Sequence, residues 1–258
     1  HMAAALREAV EQNQFTLHYQ PQVLASTGTI TGCEALLRWT SPSLGAVPPG
    51  KFIPIAEESA LIETIGTWVL HEACRQAKRW RDAGLPNIVV SLNVSARQLR
   101  DPRLPELIGQ ALGEAQLDPR SIEVELTEST IMQDVERMIE RVQRMRELGI
   151  RLAIDDFGTG YSSLAHLSRF PADRLKVDQS FVRQLARPDI TAIVQTVINL
   201  GHALKLSVIA EGVETEEQAR TLKDWGCEEL QGYFFGRPMP ADALAAELTK
   251  SAGRTPPS

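Results

Sequence analysis

The stretch Ile122–Ile154, IEVELTESTIMQDVERMIERVQRMRELGIRLAI, contains the repeating unit that decides the fold. Two short apolar runs, Ile122–Leu126 and Arg151–Ile154, flank the amphipathic segment Val135–Leu148, whose apolar residues recur at helical spacing. Short apolar runs predict buried strands, and a helix between two strands allows them to pair in parallel. The stretch therefore predicts a strand–helix–strand unit of an α/β fold.

The same alternation extends along most of the chain. Eight apolar runs predict strands, at Phe15–Gln20, Ile30–Trp39, Ile88–Val94, Ile122–Leu126, Arg151–Ile154, Arg174–Val177, Leu206–Ala210 and Glu229–Tyr233. From the third run onward, amphipathic segments separate the runs, such as Arg103–Ala115, Val135–Leu148, Thr191–Leu204 and Glu216–Trp225. This pattern predicts a (β/α)8 barrel of the TIM type. Only Ser26–Thr29 joins the first two runs, which is too short for a crossover helix, so the first strand should be antiparallel to its neighbour.

The composition is that of a folded globular domain. The 258 residues are 43% hydrophobic with 17 Gly and 15 Pro, which excludes a disordered chain, a collagen-like fibre and a disulfide miniprotein. We expect one barrel domain over residues 1–249 and a flexible tail over residues 250–258. Cys33, Cys74 and Cys227 are odd in number and far apart, which favours reduced, buried thiols in a cytoplasmic protein. The net charge of −6 argues against a DNA-binding surface.

Helix starts indicate where the strands end. Two capping boxes, Ser95–Gln98 and Thr215–Gln218, each mark the start of a helix after a predicted strand. The residues just before these boxes therefore lie at the carboxyl-terminal edge of the barrel, which carries the active site in folds of this type. Polar residues stand at this edge after nearly every strand: Glu34, Asn93, Glu125, Asp155, Asp156, Lys176, Glu211 and Gln231.

The carboxylates at this edge predict a divalent-cation site. A single acid after a strand is usually a helix cap, but five acids on one edge would repel one another strongly. A divalent cation removes that repulsion, and carboxylates with an Asn carbonyl suit Mg²⁺ or Mn²⁺. Asp155 and Asp156 could not face one way inside a regular strand, but both can reach the site where Phe157–Gly160 turns the chain. Two carboxylates placed in this way suit a bridged metal pair, as used for phosphoester hydrolysis.

Lys176 and the strand that carries Glu34 complete the predicted site. Lys176 lies between apolar residues of the sixth run, unlike an ordinary surface lysine. A barrel lysine can form a Schiff base, but the surrounding carboxylates would keep this one protonated, and orienting and acidifying a metal-bound water is the better role. Glu34, Leu36 and Arg38 share one face of their strand, which aligns a metal ligand, an apolar surface and a phosphate-binding guanidinium.

These residues resemble the EAL-domain family, the metal-dependent phosphodiesterases that open cyclic di-GMP (c-di-GMP). The resemblance spans about Leu6 to Pro240, and the family fold is a (β/α)8-type barrel with an antiparallel first strand. The matching motifs are Tyr19-Gln20-Pro21, Glu34-Ala35-Leu36-Leu37-Arg38-Trp39, Asn93-Val94-Ser95, Glu125-Leu126-Thr127-Glu128, Asp155-Asp156-Phe157-Gly158-Thr159-Gly160-Tyr161-Ser162-Ser163, Lys176-Val177-Asp178, Glu211-Gly212-Val213-Glu214 and Gln231-Gly232-Tyr233.

The resemblance also implies a role for each matching residue. The metal ligands would be Glu34, Asn93, Glu125, Asp155, Asp156 and Glu211, with Asp155 bridging two metals. The catalytic residues would be Glu34, Lys176, which would hold the attacking water, and Glu211, a proposed general base. The substrate contacts would be Gln20, Leu36, Arg38 and Gln231. The supporting residues would be Asp178, Glu214 and Glu128, which would tether the loop Asp156–Ser163.

We therefore expect a phosphodiesterase that converts c-di-GMP to linear pGpG with two Mg²⁺ or Mn²⁺ ions. Calcium should inhibit it, because the loose geometry of Ca²⁺ misplaces the water. A non-catalytic c-di-GMP receptor and a Schiff-base lyase are the alternatives; receptors typically lose metal ligands or the lysine, which this sequence keeps. The resemblance further implies a homodimer. It also implies a full-length protein in which this domain is fused to sensory or GGDEF-type domains, and in which other segments can provide a membrane anchor.

Overall fold

The computed structural model describes residues 2–132, 135–159 and 167–252, and in these ranges it contains one sheet of nine strands. The strands are β1 (Phe15–Leu24), β2 (Ile30–Ser41), β3 (Gly45–Val47), β4 (Val89–Asn93), β5 (Ile122–Thr127), β6 (Arg151–Phe157), β7 (Arg174–Val177), β8 (Ser207–Ala210) and β9 (Glu229–Gln231). Their order is β1-β9-β8-β7-β6-β5-β4-β2-β3, and pairing of β1 with β2 closes a barrel. The short strand β3, which the sequence did not predict, adds to the edge of β2 outside this ring.

The strand directions confirm the barrel with an antiparallel first strand. β1 is antiparallel to β2 on one side and to β9 on the other, whereas the other barrel neighbours are parallel. The short connection after β1 causes this reversal, because residues 25–29 cannot contain a crossover helix. β1 continues to Leu24, past the predicted end at Gln20, because Gln22–Leu24 form its ladder with β9.

Several other strand ends differ from the prediction, and those of β6 and β9 lie near the carboxyl-terminal edge. β6 continues to Phe157, three residues beyond the predicted end at Ile154. β9 stops at Gln231, two residues before the predicted end, because the chain turns away against the backbone of a neighbouring loop. A Cβ at Gly232 would lie only 2.1 Å from the carbonyl oxygen of Val213, so this close approach requires glycine.

In the described ranges, helices lie before β1, after β9 and in most of the connections from β3 onward. They are α1 (Met2–Glu11), α2 (Pro49–Glu58), α3 (Leu61–Asp82), α4 (Ala96–Arg100), α5 (Leu104–Ala115), α6 (Glu128–Ile131), α7 (Val135–Glu147), α8 (Gln179–Val182), α9 (Pro188–Ala203), α10 (Glu216–Asp224) and α11 (Ala241–Ala252). Both predicted capping boxes are present, at the starts of α4 and α10. Helices α2 and α3 lie between the second and third predicted runs, where the sequence predicts no helix.

The predicted tail begins too early. Helix α11 continues to Ala252, so residues 250–252 are helical rather than part of a tail. Two contacts hold this end: the backbone N–H of Ile30 donates to Ser251 Oγ at 3.1 Å, and Lys250 Nζ donates to Glu247 Oε1 at 2.8 Å. Residues 253–258 lie outside the described residues.

An aromatic cluster packs α1, α2 and the start of α3 against β1 and β2. The rings of Phe15, Trp39 and Phe52 lie 5.5–6.2 Å apart, at distances typical of stabilising aromatic pairs. Trp39 follows Arg38 directly and is 1% exposed. The cluster therefore anchors the end of β2 that carries Glu34 and Arg38.

The three cysteines are buried and unbridged, as the sequence predicted. Burial raises the pKa of the Cys74 thiol to about 12, and it raises the pKa of Cys33 and Cys227 further. These thiols are therefore protonated core residues rather than nucleophiles. Within the described ranges, no helix is both long and apolar enough to cross a bilayer.

Candidate active site

Polar side chains from most barrel strands converge at one end of the barrel. The register explains the convergence, because Glu34 pairs with Gln20 across β1 and β2, and Asn93 pairs with Glu125 across β4 and β5. The residues predicted to bind metal, to act in catalysis or to contact substrate all lie on strands or directly after them: Gln20, Glu34, Leu36, Arg38, Asn93, Glu125, Asp155, Asp156, Lys176, Glu211 and Gln231. Residues far apart in the chain thus meet at the carboxyl-terminal edge that the sequence analysis identified.

A β-bulge presents Asp155 and Asp156, rather than the turn that we expected. Both residues lie within β6, and the pairing with β7 shifts register between Ile154 and Phe157. Asp156 has a φ of 55°, in the left-handed region that only a few side chains tolerate. The extra residue breaks the alternation of the strand, which lets two successive carboxylates approach the site.

Lys176 lies at the centre of the carboxylates and is fully buried. Its Nζ is 2.5 Å from Glu125 Oε2, 2.6 Å from Glu211 Oε1, 3.3 Å from Asp155 Oδ1 and 4.0 Å from Glu34 Oε2. Burial by itself lowers the pKa of Lys176, but the surrounding carboxylates outweigh burial and raise it well above the ordinary value. The ammonium is therefore a permanent cation at neutral pH.

Three carboxylates of the site are harder to ionise than ordinary acids. Burial raises the pKa of Glu125 well above its usual range, although Lys176 opposes the shift. Burial likewise raises the pKa of Glu211 to about 8, again against Lys176. The pKa of Asp156 rises to about 6 because the residue is partly buried and lies near Asp155 and Asp178. The single positive charge of Lys176 does not neutralise the negative charges of the carboxylates around it.

Glu34 is fixed by two amide side chains. Asn93 Nδ2 donates to Glu34 Oε1 and Gln231 Nε2 donates to Glu34 Oε2, both at 2.6 Å. Gln231 Nε2 also lies 3.2 Å from Gln20 Oε1, and Gln20 Nε2 donates to the carbonyl of Gly236 at 3.1 Å. Both oxygens of Glu34 are therefore acceptors in fixed positions.

The donor set fits divalent cations. Glu125 Oε1 is buried and has no hydrogen-bond partner, which is an unfavourable state for a carboxylate oxygen unless a cation binds it. The other nearby donors are carboxylate oxygens and an amide, the ligands that Mg²⁺ and Mn²⁺ prefer. In the described ranges no group of three or more His, Cys, Asp or Glu side chains is arranged to hold a metal ion, and Lys176 Nζ lies among the carboxylates.

A cleft of about 290 Å³ opens over this cluster. Its lining includes seven of the predicted site residues: Gln20, Glu34, Leu36, Arg38, Glu211, Glu214 and Gln231. It also includes Tyr233, which was quoted only as part of the motif Gln231-Gly232-Tyr233, and three residues that no motif contained, namely Gln179, Arg183 and Pro238. Burial lowers the pKa of Arg38, while Glu34 opposes this shift. Arg38 and Arg183 supply positive charge on the walls of an otherwise acidic cleft.

A second cavity, of about 320 Å³, lies between α3, α4, α5 and the end of β4. It touches Asn93, but its lining is mainly apolar and contains none of the other predicted site residues. The smaller, carboxylate-lined cleft is therefore the candidate active site.

The predicted supporting residues occupy three different positions. Asp178 caps α8, where its Oδ1 accepts from the N–H of Ser180 at 3.0 Å, and it is 8% exposed. Glu214 is exposed and lies 3.6 Å from the guanidinium of Arg183. Glu128, the first residue of α6, accepts from the N–H of Gly158 at 2.9 Å. The part of the loop from Gly160 to Ser163 lies outside the described residues.

The sequence matches the EAL domain family over residues 3–238. The chain belongs to this family. The EAL domain is 46% identical over 244 residues to the bifunctional diguanylate cyclase/cyclic di-GMP phosphodiesterase MucR of Pseudomonas aeruginosa, which covers 94% of this chain and 36% of MucR. It is 43% identical over 240 residues to the cyclic di-GMP phosphodiesterase PdeR of Escherichia coli, covering 93% of this chain and 36% of PdeR. The EAL domain thus spans about a third of the length of these relatives.

A solved structure of the PaMucR phosphodiesterase in complex with c-di-GMP has the same fold as this EAL domain. The two agree with a TM-score of 0.91 at 45% sequence identity, and the match covers 94% of this chain and 99% of the other. This similarity supports the barrel architecture.

Proposed function

We propose that this EAL domain hydrolyses one phosphodiester bond of c-di-GMP to give linear pGpG. The observation that carries the proposal is the buried Lys176 ammonium within hydrogen-bond reach of Glu125 and Glu211, beside a cleft that Arg38 lines. A cationic donor, a carboxylate with a raised pKa and a guanidinium are the groups that phosphoester hydrolysis requires. The relatedness to MucR and PdeR supports the choice of substrate.

We further propose that the domain holds two Mg²⁺ or Mn²⁺ ions. Glu34, Asn93, Glu125 and Asp155 would hold one ion, and Asp155, Asp156 and Glu211 would hold the other. Two such ions, when bound, polarise the phosphate and lower the pKa of water. The unpartnered Glu125 Oε1 and the raised pKa values of three carboxylates support this assignment.

Lys176 and Glu211 would act on the attacking water. Because the pKa of Lys176 is raised, its ammonium can donate a hydrogen bond to this water but cannot serve as a base or as a Schiff-base nucleophile. Burial raises the pKa of the Glu211 carboxyl in the metal-free domain, and its ionised form would take the water proton.

Other residues of the cleft would hold the substrate. Arg38 would bind a phosphate oxygen. Leu36, two positions before Arg38 on the same strand, would present an apolar surface to a base of the substrate. Gln20 and Gln231 would contact the substrate through their amides. Glu214 lies on the cleft wall with Arg183, where the pair would adjust the charge next to the second nucleotide.

The biological assembly is also a proposal. We expect this cytoplasmic domain to form a homodimer. In the full-length protein, we expect it to be accompanied by sensory or GGDEF-type domains. We also expect calcium to inhibit turnover. The bifunctional name of MucR and the short share of each relative that the chain covers support additional domains.

The test is an assay of the purified domain with c-di-GMP. We expect conversion to pGpG in the presence of Mg²⁺ or Mn²⁺, and no conversion after these ions are chelated. Chromatography of the nucleotides measures the conversion. Binding of c-di-GMP without any conversion over a long incubation would contradict hydrolysis and favour the receptor function.

A further inference from the structure

A line of buried polar side chains runs inside the barrel from its amino-terminal end to Glu34. It starts at Arg174, the first residue of β7, which is 4% exposed. The guanidinium of Arg174 lies 2.9 Å from Glu123 Oε1 and 2.5 Å from Glu229 Oε2. Its Nη1 also donates to Gln22 Oε1 at 3.2 Å. No residue of this ion-pair cluster belongs to the predicted site.

The line continues to the site through two amides. Gln22 Nε2 donates to Gln231 Oε1 at 2.9 Å, and Gln231 Nε2 donates to Glu34 Oε2 at 2.6 Å. Gln22 is fully buried and Gln231 is 3% exposed, and the two are direct partners in the β1–β9 ladder. Three hydrogen bonds therefore connect Arg174 to Glu34 without solvent.

Arg174 at one end of this line and the Glu34 carboxylate at the other both fix the direction of its bonds. A guanidinium only donates, so the Gln22 atom that faces it must be the oxygen. The nitrogen of Gln22 then faces Gln231, which must present its own oxygen there and its nitrogen to Glu34. The amide of Gln231 is thus held in the one orientation that offers a donor to a carboxylate.

Gly32 provides the space that this arrangement needs. It is the register partner of Gln22 on β2, and a Cβ added there would lie 2.7 Å from Gln22 Oε1. A side chain at position 32 would therefore displace the oxygen that meets Arg174. The φ of Gly32 is not positive, so its lack of a side chain, and not backbone freedom, explains the glycine.

We propose that Gln22, oriented by Arg174, is a positioning residue that holds Glu34 in its ligating geometry through Gln231. The inference rests on the proposed function and on the metal site that it includes. If the line were reversed, Gln231 would present its oxygen to Glu34, and repulsion between the two oxygens would move the Glu34 carboxylate. A partner that orients a metal ligand in this way typically changes metal affinity when it is replaced.

The substitution Gln22→Glu tests the direction of the line. A carboxylate at position 22 can still accept from Arg174 but cannot donate to Gln231, whose amide must then turn over. The matched control is Glu123→Gln, which changes charge in the same cluster; Glu123 Oε2 has no hydrogen-bond partner there, so an amide nitrogen breaks no bond. The double variant Gln22→Glu/Glu123→Gln keeps the net charge of the wild-type interior, but the Gln231 amide is still expected to be turned over in it.

The primary measurement is Mn²⁺ binding by titration calorimetry, with circular dichroism to check the fold. We expect Gln22→Glu and the double variant to bind Mn²⁺ about tenfold more weakly, and Glu123→Gln to stay within about twofold of the wild type. The Mn²⁺ concentration for half-maximal hydrolysis should shift by the same factor, with activity recovering at high Mn²⁺. If Gln22→Glu does not fold, Gly32→Ala takes its place, since it displaces the Gln22 amide without adding charge.

Two outcomes would overturn the positioning role. One is wild-type Mn²⁺ affinity in Gln22→Glu, and the other is restoration of affinity in the double variant, which would show that charge alone matters. Absence of hydrolysis by the wild type would instead overturn the proposed function alone, because Mn²⁺ binding still distinguishes the variants.

Discussion

The carboxylate of Glu128 accepts a 2.9 Å hydrogen bond from the backbone N–H of Gly158, and so joins the segment after β5 to the loop after β6. Glu128 is 2% exposed, although it follows Glu125 by only three residues and could be mistaken for another metal ligand. Gly158 follows Asp156 by two residues and has a φ of 94°. The bond therefore restrains the backbone next to a proposed metal ligand.

We predict that Glu128→Ala lowers turnover sharply and raises the Mg²⁺ concentration needed for half-maximal activity, with the fold retained. Glu128→Gln should be milder, because it keeps an acceptor oxygen for the N–H of Gly158. The matched control is Glu216→Ala, which removes an exposed acid from the first turn of α10 and should alter only stability, by about 0.3–1 kcal/mol. A wild-type rate and Mg²⁺ dependence in Glu128→Ala would contradict the tether.

Glu34→Ala should abolish hydrolysis and leave the fold intact. The residue would be a metal ligand, and its loss also relieves repulsion among the carboxylates around Lys176. Glu34→Gln keeps the shape of the side chain without its charge and should be inactive too. Hydrolysis assays with thermal melting of both variants check this, and retained activity or an unfolded protein would count against the site.

Lys176→Ala should reduce kcat by about 10²–10³-fold while c-di-GMP binding survives, because the ammonium acts on the water more strongly in the transition state. Lys176→Met, which preserves most of the buried volume, separates this effect from the cavity that alanine leaves. Calorimetry gives binding and steady-state kinetics give kcat. A variant that loses affinity but keeps turnover would make Lys176 a substrate-binding residue.

Calcium should support c-di-GMP binding without turnover. Its larger radius and loose coordination hold the phosphate but misplace the water and acidify it poorly. The comparison is a binding titration in Ca²⁺ beside hydrolysis assays in Ca²⁺, in Mg²⁺ and in mixtures of the two. Rapid hydrolysis in Ca²⁺ alone would refute this explanation.

The metal-free domain should become less stable as the pH rises from about 5 to 8. Glu211 and Asp156 have folded-state pKa values of about 8 and about 6, above their ordinary values of 4.5 and 3.8. The folded state therefore binds more protons than the unfolded state in this interval, so the free energy of unfolding falls with pH. Urea denaturation measures the slope, which should be smaller in Glu211→Gln and with added Mg²⁺.

An equal slope in the wild type and in Glu211→Gln would show that the Glu211 carboxyl does not carry this dependence. The outcome would leave the hydrolytic function standing, since the activity assays above do not depend on the stability of the metal-free form.

Local patterns were sufficient to predict the barrel and most of the strand starts. Alternation of apolar runs and amphipathic segments depends only on neighbours in the chain, as does the turn that makes β1 antiparallel. The capping boxes at Ser95 and Thr215 were equally local, and both are present. For the same reason the acids at the strand ends could be identified as one group before their distances were known.

Other features depend on contacts between distant residues and have no local signal. The bulge that presents Asp155 and Asp156 arises from a register shift against β7, so the sequence analysis assigned their common direction to a turn. Arg183 lines the cleft only because the residue that follows α8 lies at the same cleft as the end of β9.

The sequence by itself determined the order of the strands, the antiparallel start and the set of acids at one edge of the barrel, because each of these follows from periodicity or connection length. Only the tertiary structure decided that Lys176 lies among those acids and that Arg174 reaches Glu34 through Gln22 and Gln231. Gln22 and Arg174 are 152 positions apart. Their contact depends on closure of the sheet, and no pattern within either strand encodes which side chains then meet inside the barrel.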